Sequence, residues 1–274
     1  MSVISDTVST SRAYDAGLRA HMQRVYRYLG YGLGVSAISA YAIHGLSTTR
    51  THLDGAKAFG AGQWLTPLGE TLYGWPGLIG LLVVGIGLMF AMRATIGNAG
   101  HGTAMTLYIV FTAVFGLALA AMVGRHAPAV VMRALSVTAF VFGAMSLWGY
   151  TTKRDLSGWG SFLTMGLLGL IGVGLLNALV FHSSAMQMAG SAAGVLVFVG
   201  FVAYDTQKIK EGYDARLGQG TLGALAVWGA MELYLDVLNL LGDFLNLFSS
   251  TEAWGAIGEG IGSVAESIGD SISD

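Results

Sequence analysis

Seven long apolar runs follow one another along the chain, at roughly 28–46, 75–92, 103–123, 128–150, 159–181, 185–207 and 222–248. Short polar clusters separate them, Thr152-Lys153-Arg154-Asp155 being the clearest. About 20 mainly apolar residues suffice for a helix to cross a bilayer. The pattern therefore predicts an all-α membrane protein with seven transmembrane helices in one polytopic domain, residues 28–248. Residues 1–27 are polar, carry Arg12, Arg19, Arg24 and Arg27, and lack the charged-then-apolar plan of a cleaved signal peptide. They are expected to form a short cytoplasmic surface helix. After residue 248, Trp254, Ile257, Ile261, Val264, Ile268 and Ile272 recur at helical spacing among five acids and five glycines. Glycine weakens helices, so 249–274 is expected to be a flexible acidic tail.

Composition sharpens this picture. Charged residues make up 11% of the 274 positions and hydrophobic ones 54%, against roughly 25% charged in soluble domains. Such a chain cannot hide its apolar surface from water by folding alone. The net charge of -2 leaves no basic face for a nucleic-acid backbone. The absence of cysteine removes disulfides, thiolate nucleophiles and thiolate metal sites. Glycines at 166, 169, 172 and 174, and the Gly190/Gly194 pair, are the small-residue spacing of close-packed membrane helices. No internal repeat supports a repeat-based transporter. Cytoplasmic loops carry the excess of Lys and Arg. With the N-terminus inside, ten of the 14 basic residues fall on that side, which places the N-terminus in the cytoplasm and the C-terminus outside.

The informative residues are acids inside apolar runs. Asp205 lies near the cytoplasmic end of the sixth run and Asp236 well inside the seventh. On a helix turning 100° per residue, Glu232, Asp236, Asn239, Asp243 and Asn246 fall within an arc of about 80°. Three acids on that stripe plus Asp205 would cost on the order of 10 kcal/mol if they faced lipid. The stripe must therefore face protein or water, which makes the seventh helix the candidate central one. Asp205 and Asp236 sit on adjacent spans joined by a short loop, and two close carboxylates in low dielectric do not both ionise readily. Arg93, ending the second run on the same side, is a candidate counter-charge.

At these residues the sequence resembles the Bax inhibitor (transmembrane Bax-inhibitor-motif) family, in particular its bacterial inner-membrane branch. The matching stretches are Asp15-Ala16-Gly17-Leu18-Arg19 with Arg24-Val25-Tyr26, Gly149-Tyr150-Thr151-Thr152-Lys153-Arg154-Asp155-Leu156, Tyr204-Asp205-Thr206-Gln207, and Leu233-Tyr234-Leu235-Asp236 with Asn239-Leu240. The resemblance implies six helices wrapped around a central seventh. It also implies that Asp205 and Asp236 form a hydrogen-bonded, proton-sensitive pair near the cytoplasmic mouth, with Arg93 in the place of the family's latching arginine. Glu232, Asp243 and Asn246 depart from the family pattern, where small, neutral or basic residues are expected.

The leading expectation is a pH-sensitive cation leak channel, most plausibly for calcium, because hard divalent cations take carboxylate and carbonyl oxygens. Its sensor and gate would be Asp205, Asp236 and Arg93, with Glu232, Asn239, Asp243 and Asn246 lining the pore. Asp205 and Asp236 are the candidate ligands for a transiently bound calcium, and no resident cofactor is expected. The alternative is a non-catalytic regulator that binds a membrane-bound ATP-dependent protease. An enzymatic reading, in which Asp205 and Asp243 act like an intramembrane aspartyl protease pair, is disfavoured. Leu240 stands where Gly-x-Gly-Asp needs glycine, and with prolines only at 67, 76 and 128 no Pro-Ala-Leu motif follows.

Overall fold

The computed structural model describes residues 2–51, 54–60, 62–96 and 100–250, with 2–13 described by backbone alone. The expected acidic tail thus lies outside the described residues, apart from 249 and 250. Among the described residues eight α-helices follow in order: α1 (Ser2–Ser47), α2 (Pro67–Tyr73), α3 (Trp75–Thr95), α4 (Gly100–Val123), α5 (Pro128–Thr151), α6 (Trp159–Leu176), α7 (Ser184–Glu211) and α8 (Gln219–Ser249). All three prolines stand in the first turn of a helix, α2, α3 and α5, where the missing N–H costs nothing. A π-helical turn, Asn177–Phe181, continues α6.

Among the described residues six helices, α3 to α8 with α6 extended by its π-turn, are long and apolar enough to cross a membrane. They coincide with the second to seventh expected runs. The run at 28–46 lies inside α1, which does not reach the same apolar standard because Ser36, Ser39, His44 and several tyrosines interrupt it. Nor is there a helix break at residue 27. The expected separate surface helix is instead the first half of α1, held there because His21, Met22 and Val25 are buried in the main core. Tyr14 donates a 3.4 Å hydrogen bond to the Tyr213 carbonyl in the α7–α8 connection. The connection between α1 and α3 holds three short elements the apolar pattern did not predict. Strands β1 (Thr48–Thr49) and β2 (Trp64–Leu65) pair antiparallel, and α2 follows. Phe59, Leu65 and Tyr73 there form a small core with Ala120 and Ala121 of α4.

Helix α8 packs against α1, α4, α5 and α7. Within its most apolar stretch 61% is buried, against 33% or less in the other five helices. Tyr234 ties this packing together, its hydroxyl 2.6 Å from Ser36 Oγ of α1, which donates in turn to the Thr112 carbonyl of α4. Helices α3 and α6 stand further out, α3 on α4 and α6 on α7. Their outer faces expose Phe90, Phe162 and Leu168, each more than half exposed, as lipid contact requires. The glycines of α6 do not all serve close packing: Gly166 meets Val197, but 169, 172 and 174 face open space. The gap left between α6 and α8 holds the polar residues.

Candidate functional site

Two cavities occupy that gap, one toward each end of the bundle. The first, about 630 Å³, opens where the α5–α6 and α7–α8 connections gather, and its walls include Ser161, Tyr204, Asp205, Lys208 and Glu232. The second, about 680 Å³, lies toward the π-turn and includes Asn239, Asp243 and Asn246 in its lining. The α8 stripe thus divides. Glu232 fronts one cavity, the last three residues front the other, and Asp236, 5% exposed, belongs to neither lining. At 1.5 Å per residue, Glu232 and Asn239 are about 10 Å apart along the axis. Val202 and Leu240, both fully buried, belong to one apolar core cluster shared by α7 and α8.

Asp205 is 7% exposed and Asp236 5%, and each lies within the other's electrostatic reach. Their carboxyls do not share the hydrogen bond that the family resemblance implied. Asp205 Oδ1 turns instead to Lys208 Nζ at 3.3 Å, one helical turn away on the same face. Lys208 Nζ also reaches Glu232 Oε1 at 2.6 Å, which clasps α7 to α8. Glu232 Oε1 takes a second bond, 2.8 Å, from Trp228 Nε1. Asp236 Oδ2 is enclosed with no hydrogen-bond partner, an arrangement that leaves a buried polar atom uncompensated.

Arg93 is exposed, and its guanidinium stacks over the Trp228 ring at 5.0 Å from the centroid. It forms no ion pair with Asp205 or Asp236 among the described residues. The cation at this site is Lys208, which the apolar pattern alone does not single out. Its position three residues after Asp205 was the available signal. Among the described residues no group of three or more His, Asp or Glu could hold a metal ion.

The neighbouring motif residues hold the site in place. Thr206 Oγ1 lies 3.0 Å from Ser146 Oγ, which lies 2.7 Å from the Tyr26 hydroxyl, so α7, α5 and α1 share one chain of hydroxyls. Gln207 clamps the α5–α6 connection, accepting from Leu156 N at 2.7 Å and donating to the Arg154 carbonyl at 2.8 Å. Lys210 donates to the Tyr150 carbonyl at 2.8 Å. Within the connection, Asp155 accepts from Ser157 N at 2.8 Å, and that bond holds the Asp155 carboxyl below its ordinary pKa.

Around the second cavity, Gln187 Nε2 donates to Asn246 Oδ1 at 3.1 Å, and Asn246 Nδ2 donates to Ser191 Oγ at 3.2 Å. Asn239 Nδ2 bonds the Leu235 carbonyl of its own helix at 2.8 Å. A Cβ at Gly194 would collide with Asp243 Oδ2. That glycine therefore makes room for the carboxyl, while Gly190 opens onto the cavity with nothing near it.

The fold and its buried acids define a polytopic helical membrane protein with carboxyl groups between its inner helices. The family model for Inhibitor of apoptosis-promoting Bax1 matches residues 18–253, and the chain belongs to this Bax inhibitor family. The inner membrane protein YbhL of Escherichia coli is 34% identical over 249 residues, 90% of this chain and 97% of its own length. An uncharacterized protein of Caulobacter vibrioides is 38% identical over 238 residues, 85% and 90% of the two chains. The protein RP147 of Rickettsia prowazekii is 35% identical over 237 residues, 85% and 91%.

Proposed function

We propose that this protein is a pH-sensitive leak channel for cations, calcium among them, in a bacterial inner membrane, with no catalytic role. In this reading the run at 28–46 supplies a seventh crossing, six helices surround α8, the N-terminus is cytoplasmic and the C-terminus outside. The first cavity is then the cytoplasmic mouth. The observation that carries the proposal is Asp236, buried and without a donor, in the sealed interval between two cavities fronted by one polar helix face. Near it stand the carboxyls of Asp205 and Glu232 and a single ammonium, Lys208. Protons or cations are the means of balancing the remaining charge, so the equilibrium between a sealed and a connected state depends on both. The enzymatic alternative is weakened by Asp205 and Asp243 facing different cavities. They are too far apart to share a proton as a catalytic pair does.

The test is calcium flux into proteoliposomes across pH. Asp236→Asn fixes that position in a neutral form and is expected to change the pH dependence of flux. If wild type carries calcium and Asp236→Asn shows the same flux at every pH, the sensor is elsewhere. A wild type that carries no cation at any pH removes the channel reading altogether.

A further inference from the structure

We propose that the second cavity binds an amphiphilic organic ammonium ion, with the nitrogen on the Asp243 carboxylate and the hydrocarbon arms against α6 and Phe198. The cavity's volume, about 680 Å³, is that of a small-molecule site. Its polar lining is made mainly of neutral side chains. Asn239 Nδ2 donates one hydrogen bond to the Leu235 carbonyl. Gln187, Asn246 and Ser191 form a hydrogen-bonded chain of neutral groups. The lining contains one carboxylate, Asp243, and neither lysine nor arginine. The Ser191 hydroxyl donates to the Asp243 carboxyl, and Asp243 Oδ2 is enclosed with no hydrogen-bond partner. A carboxylate so placed gains from a cation that brings its own hydrophobic coat into the cavity.

The rest of the lining decides which cation. Leu167, Leu170, Ile171, Val173, Met186 and Phe198 contribute apolar walls. A calcium ion takes 6–8 oxygen ligands and keeps water where protein oxygens are lacking. The cavity offers it a single carboxylate besides neutral amide and hydroxyl oxygens, and no three-acid group is available among the described residues. A tetraalkylammonium needs a single counter-charge, apolar surface for its arms and an aromatic face, which Phe198 offers. Two further features mark the end of the molecule where the cavity lies. The α6 helix widens into the π-turn Asn177–Phe181, and His182 follows with φ 50°, the left-handed region. Both are conformations that proteins retain at functional sites.

The experiment is titration calorimetry on the full chain in nanodiscs, with tetrapropylammonium as the probe. Saturable binding is expected, weakened about tenfold or more in Asp243→Asn through loss of the ionic contact. Asp243→Glu should retain most of it. Gly194→Ala, which pushes on the carboxyl from behind, should also weaken it. Tetramethylammonium, too short to reach the walls, should bind more weakly than tetrapropylammonium. Absence of saturable tetrapropylammonium binding to wild type overturns the proposal. So does equal affinity in Asp243→Asn, or complete displacement by millimolar calcium, which would make this a metal site. The readout is binding and not flux, so its failure leaves the leak proposal standing and its success does not depend on that proposal.

Discussion

Gln207 holds the α5–α6 connection with one side chain. Its amide oxygen satisfies the N–H of Leu156, a residue 1% exposed, and its amide nitrogen satisfies the Arg154 carbonyl. A buried N–H stripped of its acceptor costs about 1–3 kcal/mol. Gln207→Ala is therefore expected to lower stability by that order in thermal unfolding in detergent, and Gln207→Glu, which keeps the acceptor, to cost less than Gln207→Ala. Equal stability of wild type and Gln207→Ala would show that water replaces the clamp. Lys208, the next residue, works differently. Its ammonium holds one acid of its own helix and one of α8, so a single cation fixes the α7–α8 spacing at the mouth.

At the scale of elements, the α4–α5 connection offers a pH effect that has nothing to do with the buried acids. His126 lies there, half-buried, and burial first and the neighbouring Arg125 charge second hold its imidazole below the ordinary 6.5. The unfolded chain then binds a proton at a higher pH than the folded one. Stability is fully present above pH 6.5 and falls as the pH drops from 6.5 toward the depressed folded value. Replacing His126 with Gln should flatten the dependence of the melting temperature between about pH 7.5 and 5.5. A wild-type melting temperature with the same slope as His126→Gln across that interval would remove His126 as its source. The same connection anchors the β1–β2 hairpin region, since the Arg125 guanidinium sits 5.9 Å from the Phe59 ring centroid.

The whole molecule sets its two cavities toward opposite ends of the bundle, with α6 running from one to the other. An absence of cysteine makes this directly measurable. Ser161 borders the first cavity and Ser184 the second, and both are exposed. With the basic loops inside, a membrane-impermeant maleimide should label Ser161→Cys only from the cytoplasmic face and Ser184→Cys only from the outer face. Labelling of both from one face would contradict the crossing of α6, and the reverse pattern would invert the orientation.

Much of this was legible along the chain because a bilayer rewards a simple pattern. Long apolar runs become helices whatever surrounds them, since every backbone group must be satisfied within the segment. Hence α3 to α8 fall within a few residues of the expected runs. Burial of Asp205 and Asp236 was legible for a related reason, as acids in apolar runs are too costly to face lipid. Three-dimensional packing decided the rest. Whether Lys208 or Arg93 meets the acids depends on which side chain reaches across the α7–α8 contact. Trp228, one turn before Glu232, gives Arg93 a different partner. The hairpin, α2 and the burial of His21, Met22 and Val25 on α1 depend on contacts with distant helices and leave no periodic trace. The division of one polar stripe between two cavities arises because α6 packs on α7 and stands off α8. A helical wheel fixes the direction a side chain points, and only the neighbouring helices determine whether it meets protein or open space.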